Sequence, residues 1–163
     1  MFMPYLFEVF PDATVIICHR DPCEVVPSFA SLMTSLWTVF RNDTLDYEEK
    51  GEHTVQFVLK WTQRVDQVLT NKTFSTQCHS VKYEDIYRDP IGVIKSFYEK
   101  VGMNFSDEYL SILNVYIEND RRERNQIKLR NGGMLHDYSL EMYGMDRDRI
   151  EKLFEFYIKK YVK

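Results

Sequence analysis

Val15-Ile16-Ile17-Cys18-His19-Arg20-Asp21-Pro22-Cys23-Glu24-Val25-Val26-Pro27-Ser28 is the stretch whose reading decides the fold. Thr14 to Cys18 is a short, continuous apolar run, as expected of a parallel strand buried on both faces. Asp21-Pro22 is a helix-start signal, an N-cap side chain followed by Pro in the first turn. Arg20 therefore stands at the carboxyl end of a strand, and Ser28 on the helix that follows. In an open α/β sheet, ligands bind in the crevice beyond the strand ends. A fork of N–H donors beside a hydroxyl suits a cluster of phosphate oxygens. The segment reads as one half of a nucleotide site. The plainer alternative is a surface Arg that ends a strand and a Ser that satisfies a broken turn.

Working outward, residues 1–10 read as the end of a helix stopped by Pro11-Asp12. Pro27 falls inside the helix after Arg20, where an interior Pro costs about 3 kcal/mol. A broken first turn is expected, with the long helix restarting near Pro27 and running to about Arg41. Asn42 to His53 is polar and acidic, so a loop is expected there. Thr54 to Leu69 is amphipathic, with Val55, Val58, Leu59, Val65 and Leu69 near one face. Ser80 to Tyr83 reads as a second strand, with Tyr83 at its end. Asp89-Pro90 opens a helix that Gly102 stops, and Ser106-Asp107-Glu108 opens another that runs to about Asn119. Arg121 to Leu135 has little periodicity and contains Gly132-Gly133, so it reads as a loop. Asp146 or Asp148 starts the last helix. Phe97-Tyr98-Val101 and Leu153-Phe154-Tyr157 have the spacing of packed helix faces, Cys18 reads as inert core, and His19 as a structural or supporting contact.

The 163 residues are one domain's worth, 1–163, with 44% hydrophobic and 28% charged residues, the balance of an ordinary globular protein. A net charge of −4 argues against a nucleic-acid partner, because no broad basic surface is implied. The local exception is Arg121-Arg122-Glu123-Arg124 with Lys128 and Arg130. Three cysteines without disulfide or metal spacing fit a reducing compartment, so a cytoplasmic location is expected and no metal is called for. No run is long enough for a membrane span.

Three collinear blocks now carry a resemblance. HRDPCEVVPSFASL (His19 to Leu32), VKYEDIYRDPIGVIKSFYEKVGM (Val81 to Met103) and HDYSLEMYGMDRDRIEKLFEFYIKKY (His136 to Tyr161) resemble, in order, segments of the sulfotransferases that use 3′-phosphoadenosine 5′-phosphosulfate (PAPS). The resemblance implies an α/β fold: a P-loop-type parallel sheet flanked by helices, incomplete at its N-terminus, with a largely helical C-terminal half. It implies transfer of a sulfuryl group from PAPS to a hydroxyl or amine of a small-molecule, glycan or lipid acceptor. Arg20 and Ser28 match the positions that hold the 3′-phosphate of PAPS or of its product PAP. Tyr83 lies where family members contact the nucleotide. Arg130, before Asn131-Gly132-Gly133, loosely resembles a basic loop that closes over the 3′-phosphate, and His136 is a candidate contact there.

The family's N-terminal phosphosulfate loop and catalytic base have no counterpart among these residues. The chain is therefore expected to be the C-terminal portion of such an enzyme, with its catalytic residues upstream of Met1. Self-association through uncovered apolar surface is expected as well. Two alternatives stay open: a non-catalytic module that binds PAP or PAPS, and a degenerate interaction domain.

Overall fold

The computed structural model describes residues 3–41, 46–130, 132 and 138–163. In chain order the elements are α1 (Met3–Val9), β1 (Val15–His19), α2 (Pro22–Arg41), α3 (Tyr47–Thr70), β2 (Cys78–Lys82), α4 (Tyr83–Arg88), α5 (Pro90–Lys100), α6 (Asp107–Arg130) and α7 (Arg147–Leu153). Beyond a break at Phe154 follow a short turn, Glu155–Tyr157, and a π-helical turn, Ile158–Val162. The architecture is α/β, with one parallel pair of strands among the described residues and otherwise helices. The chain divides into two compact units: Met1–Lys82 with Tyr138–Lys163, and Tyr83–Asp137.

In the first unit β1 and β2 run parallel in register, Val15 opposite Cys78 and His19 opposite Lys82. Side chains alternate along β1, and only one set is covered. Val15 and Ile17 join Met3 and Phe7 of α1, Val68 of α3 and Cys78 in an apolar cluster, where Phe7 stacks on Phe74. Ile16 is 48% exposed and Cys18 is exposed too. The expectations of a strand buried on both faces and of Cys18 in the core are thus corrected. A continuous apolar run cannot say which of its two faces finds a neighbour.

The larger core lies between α2, α3 and the C-terminal segment. Cys23, Val26 and Ala30 project from α2, Val55 and Val58 from α3, and Leu140, Tyr143, Met145, Ile150, Phe154 and Ile158 from the end of the chain. The spacing on α2 and α3 is the three-to-four-residue stripe of an amphipathic helix. That stripe explains why α2 does not break at Pro27, contrary to expectation. The ring removes the bond to the Cys23 carbonyl, yet Val26 and Ala30 on either side are fully buried. Interrupting the helix would pull both from the core, at a combined cost comparable to the Pro penalty. The helix runs through.

Two expected loops are helical where the structure describes them. Residues 47–53 form the start of α3, because Asp46 caps it and accepts the Glu48 amide, with Glu48 and Glu49 in the first turn. In the second unit α6 continues over 121–130, well past Asn119. Its polar turns are tied by Arg122–Glu118 and Arg124–Asp120 ion pairs at i,i+4 spacing, which support a helix that has no apolar stripe. The helix start at Asp89 and its stop at Gly102 are as read, whereas α4 was not anticipated. Asp89 caps α5 through the Gly92 amide, Gly102 (φ +70°) ends it, and Tyr98 packs against Phe105 and Tyr109.

Gly51 lies inside α3, where Ala is favoured over Gly by about 1 kcal/mol. A Cβ at position 51 would come within 2.2 Å of the Tyr143 carbonyl oxygen, and both are backbone-anchored. The clash decides the sign: Gly51→Ala lowers the urea midpoint, and an unchanged or raised midpoint would refute the packing. Tyr5, Val9, Phe10, Ile16, Val39 and Phe40 are large apolar side chains exposed to solvent. The isolated chain is therefore expected to self-associate, and a monodisperse monomer by light scattering would count against it.

Candidate functional site at the strand ends

β1 and β2 end together, so the sheet has one carboxyl edge, and the last residue of β1 is a histidine. His19 is only 2% exposed. Its Nδ1 lies 2.8 Å from the Tyr157 hydroxyl and its Nε2 3.0 Å from the Ser80 hydroxyl. The Tyr161 ring stacks on the imidazole at 4.5 Å, nearly parallel. Tyr161 in turn donates its hydroxyl to Asp66 of α3, which Lys160 also reaches. A neutral imidazole offers one donor and one acceptor, and each hydroxyl can take either role. Burial pushes the His19 pKa down and that of Tyr157 up to about 12, so both stay uncharged near neutral pH. Burial works against the Asp66 carboxylate, but the bonds from Lys160 and Tyr161 outweigh it and hold its pKa down. His19 is thus a structural anchor, in line with the sequence reading. Its partners Ser80, Tyr157 and Tyr161, and Asp66 behind Tyr161, lie far off in the chain, and no local signal announced the cluster.

Arg20 is the first residue past this anchor. Its Nε donates to Glu24 Oε2 at 2.7 Å, and its side chain is 35% exposed. Glu24 lies in the first turn of α2, and Ser28 one helical turn farther on, half-buried. The periodicity of α2 lines up Glu24 and Ser28 on one side, and the Arg20–Glu24 pair joins the guanidinium to that line. Asp21 accepts the Cys23 amide at 2.8 Å and so fills the N-terminus of α2 with a carboxylate. An anion at this edge thus meets side-chain donors before it meets bare helix amides. Glu24 was not singled out in the sequence, although its i,i+4 relation to Arg20 was there to be read. Chemically, the arrangement is a guanidinium parked on a carboxylate. A dianion can compete for it, because two charges outbid one at the same fork.

The remaining candidates belong to the second unit. Tyr83 does not end β2 as expected; β2 stops at Lys82 and Tyr83 is the first residue of α4. Arg124 of α6, whose pKa is raised chiefly by its bond to Asp120, also feels the hydroxyls of Tyr83 and Tyr87. Arg130 is the last residue of α6 rather than part of a loop. His136 lies outside the described residues, as do Asn131 and Gly133. Arg20, between β1 and α2, and Ser28, on α2, both lie in the first unit, whereas Tyr83 and Arg130 belong to the other unit. Cys18, Cys23 and Cys78 are free thiols. Among the described residues no helix is long and apolar enough to cross a membrane.

A family model described as "Sulfotransferase family" matches residues 1–107. Two curated relatives, both omega-hydroxy-beta-dihydromenaquinone-9 sulfotransferase Stf3, from Mycobacterium bovis and Mycobacterium tuberculosis, are 27% identical over 112 residues. The match covers 69% of this chain and 29% of theirs, so the chain spans under a third of their length. Among solved structures, sulfotransferase STF9 from Mycobacterium avium superposes with a TM-score of 0.73 at 22% identity, over 98% of this chain and 39% of that one. Sulfotransferase STF1 from Mycobacterium tuberculosis H37Rv gives 0.60 at 21% identity, over 93% and 36%. These two likenesses establish a shared fold.

The buried imidazole makes stability depend on pH. Its folded pKa lies below the ordinary value of 6.5, so the unfolded chain takes up the proton first. The contribution is complete above about pH 6.5 and is lost as the pH falls through and below it, at up to about 1.4 kcal/mol per pH unit. The urea midpoint is expected to fall between about pH 7.5 and 5.5, with the fall largely absent in His19→Gln. A midpoint flat over that range in the native chain would refute the assignment. The depressed carboxylates Glu52 and Asp66 titrate lower and add their losses at more acidic pH.

Proposed function

The chain belongs to the sulfotransferase family, and on that premise we propose that it supplies the 3′-phosphate and adenine side of a PAPS site. The proposed whole protein transfers a sulfuryl group from PAPS to a hydroxyl or amine. The observation that carries this reading is the position of Arg20. It is the first residue past a parallel strand whose end is pinned by a buried histidine, and it is joined through Glu24 to the side of α2 that bears Ser28.

In this reading the 3′-phosphate takes over the Arg20 guanidinium from Glu24 and accepts the Ser28 hydroxyl. Each charge-assisted bond contributes about 1.5–3 kcal/mol to holding the donor. Tyr83 is proposed to contact the purine, and Arg130, at the end of α6, to approach the phosphate. None of these residues performs chemistry. They fix the donor while the sulfur–oxygen bond to the 5′-phosphate breaks, a new one forms to the acceptor oxygen or nitrogen, and PAP departs. Positioning of this kind is worth several powers of ten in rate. The base that takes the acceptor proton is proposed to lie outside these residues.

For the acceptor, the names of the relatives from the two mycobacteria point to a hydroxylated, largely apolar molecule, and we take a small-molecule or lipid hydroxyl as the working class. The free thiols agree with a reducing, cytoplasmic setting.

Calorimetric titration of the chain with PAP and with 5′-AMP tests the proposal. PAP is expected to bind about 10- to 100-fold more tightly, and Arg20→Ala to remove most of that difference. Equal affinity for the two nucleotides, unchanged by Arg20→Ala, would remove the 3′-phosphate role.

A further inference from the structure

α2 and α3 lie side by side in the first unit and leave a groove of about 470 Å³ between them. That volume lies within the range of small-molecule sites, roughly 300–1,000 Å³. One wall is Phe29, Met33 and Trp37, spaced four apart along α2, and Phe57 of α3 stacks on Phe29 at 5.2 Å. The other wall carries Lys50 and His53 of α3. None of these residues is in the proposed donor set.

Lys50 is the anomaly. It is 5% exposed, on the buried face of α3 beside Gly51 and Thr54. Lysine is almost never buried without a counter-charge. Its Nζ lies 4.7 Å over the Tyr47 ring, which is itself braced against Tyr143. Among the described residues no carboxylate pairs with it. Glu49, next in the chain and also on the groove, lies 3.7 Å from His53, and both of those side chains are largely exposed. The Thr54 hydroxyl donates to the Lys50 carbonyl and so remains able only to accept. The groove therefore has an aromatic body and, at its wall, a lysine with no carboxylate partner among the described residues.

We propose that this groove binds a small amphipathic acid, an aryl or alkyl carboxylate or its sulfate analogue, with its apolar body against Phe29, Trp37 and Phe57 and its anionic head on Lys50. The anion supplies a counter-charge that no described carboxylate gives Lys50, and the ring cradle holds the lysine head in place for it. Charge complementarity selects the acid over the corresponding alcohol, because the two differ only at the atom that meets the ammonium.

The test uses phenylbutyrate and phenylbutanol, which share one apolar body, titrated by calorimetry and followed by Trp37 emission in a Trp61→Phe background. Phenylbutyrate is expected to bind at least about tenfold more tightly than phenylbutanol. Lys50→Met, which replaces the ammonium by an apolar side chain of similar length, is expected to erase the difference, and Lys50→Arg to retain most of it. Saturating PAP is expected to leave phenylbutyrate affinity unchanged. Equal binding of acid and alcohol, no binding of either, or displacement of phenylbutyrate by PAP would each overturn the proposal. The comparison on the native chain decides even where a variant fails to fold. Failure of PAP to bind would remove the donor reading and leave this one standing.

Discussion

The fold turns on a histidine that has to stay neutral. His19 ends the strand that leads into the candidate site, and it is enclosed by groups that reach it from three directions: Ser80 from the neighbouring strand, and Tyr157 and Tyr161 from the C-terminal turns. Tyr161 then passes the tie to Asp66 on α3. A charged imidazole in this place would lose hydration it could not recover, so every partner is a hydroxyl or a ring face rather than a carboxylate in direct contact. The constraint does mechanical service. It sets where β1 stops, and hence where the next residue, Arg20, emerges beside Glu24.

Much of the local structure was legible because it is written in short-range chemistry. Asp21-Pro22, Asp89-Pro90, Ser106 and Asp146 each cap the helix that the sequence pattern assigns them. The misreadings share one cause, which is that local signals carry no information about distant neighbours. Pro27 looked like a break because the burial of Val26 and Ala30 could not be weighed against it. Residues 47–53 and 121–130 looked like loops because they lack an apolar stripe, although Asp46 and the Glu118–Arg122 and Asp120–Arg124 spacings were available as helix signals. Cys18 looked like core because an apolar run does not reveal how many of its faces are covered.

The site was legible to a similar depth. Arg20 and Ser28 could be placed at a strand end and on the following helix from sequence alone, and the structure puts them there. The brace behind Arg20 could not be foreseen, because its parts lie in four segments of chain that converge only on folding. Tyr83 shows the opposite limit. An error of one residue at a strand end moved it from the sheet to the first turn of a helix, which changes the direction of its side chain. Lys50 illustrates how a charge in a stretch that reads as a polar loop can be carried inward by the register of its neighbours Gly51, Thr54 and Val55 on α3.

The bond between His19 and Tyr157 joins residues 138 positions apart, and the intervening chain includes a separate compact unit, Tyr83–Asp137. During synthesis β1, α2 and α3 leave the ribosome long before the residues that close their core at Leu140, Ile150 and Phe154. Contacts of such long sequence separation form late, after the loop-closure entropy has been met. The contacts within the inserted unit, α4 with α5 and α5 with α6, are local in sequence, whereas the core of the first unit is completed only across that insertion. The strand end that carries Arg20 is seated in part by Tyr157 and Tyr161, synthesised well after it, so the early segment is exposed to premature association until they arrive.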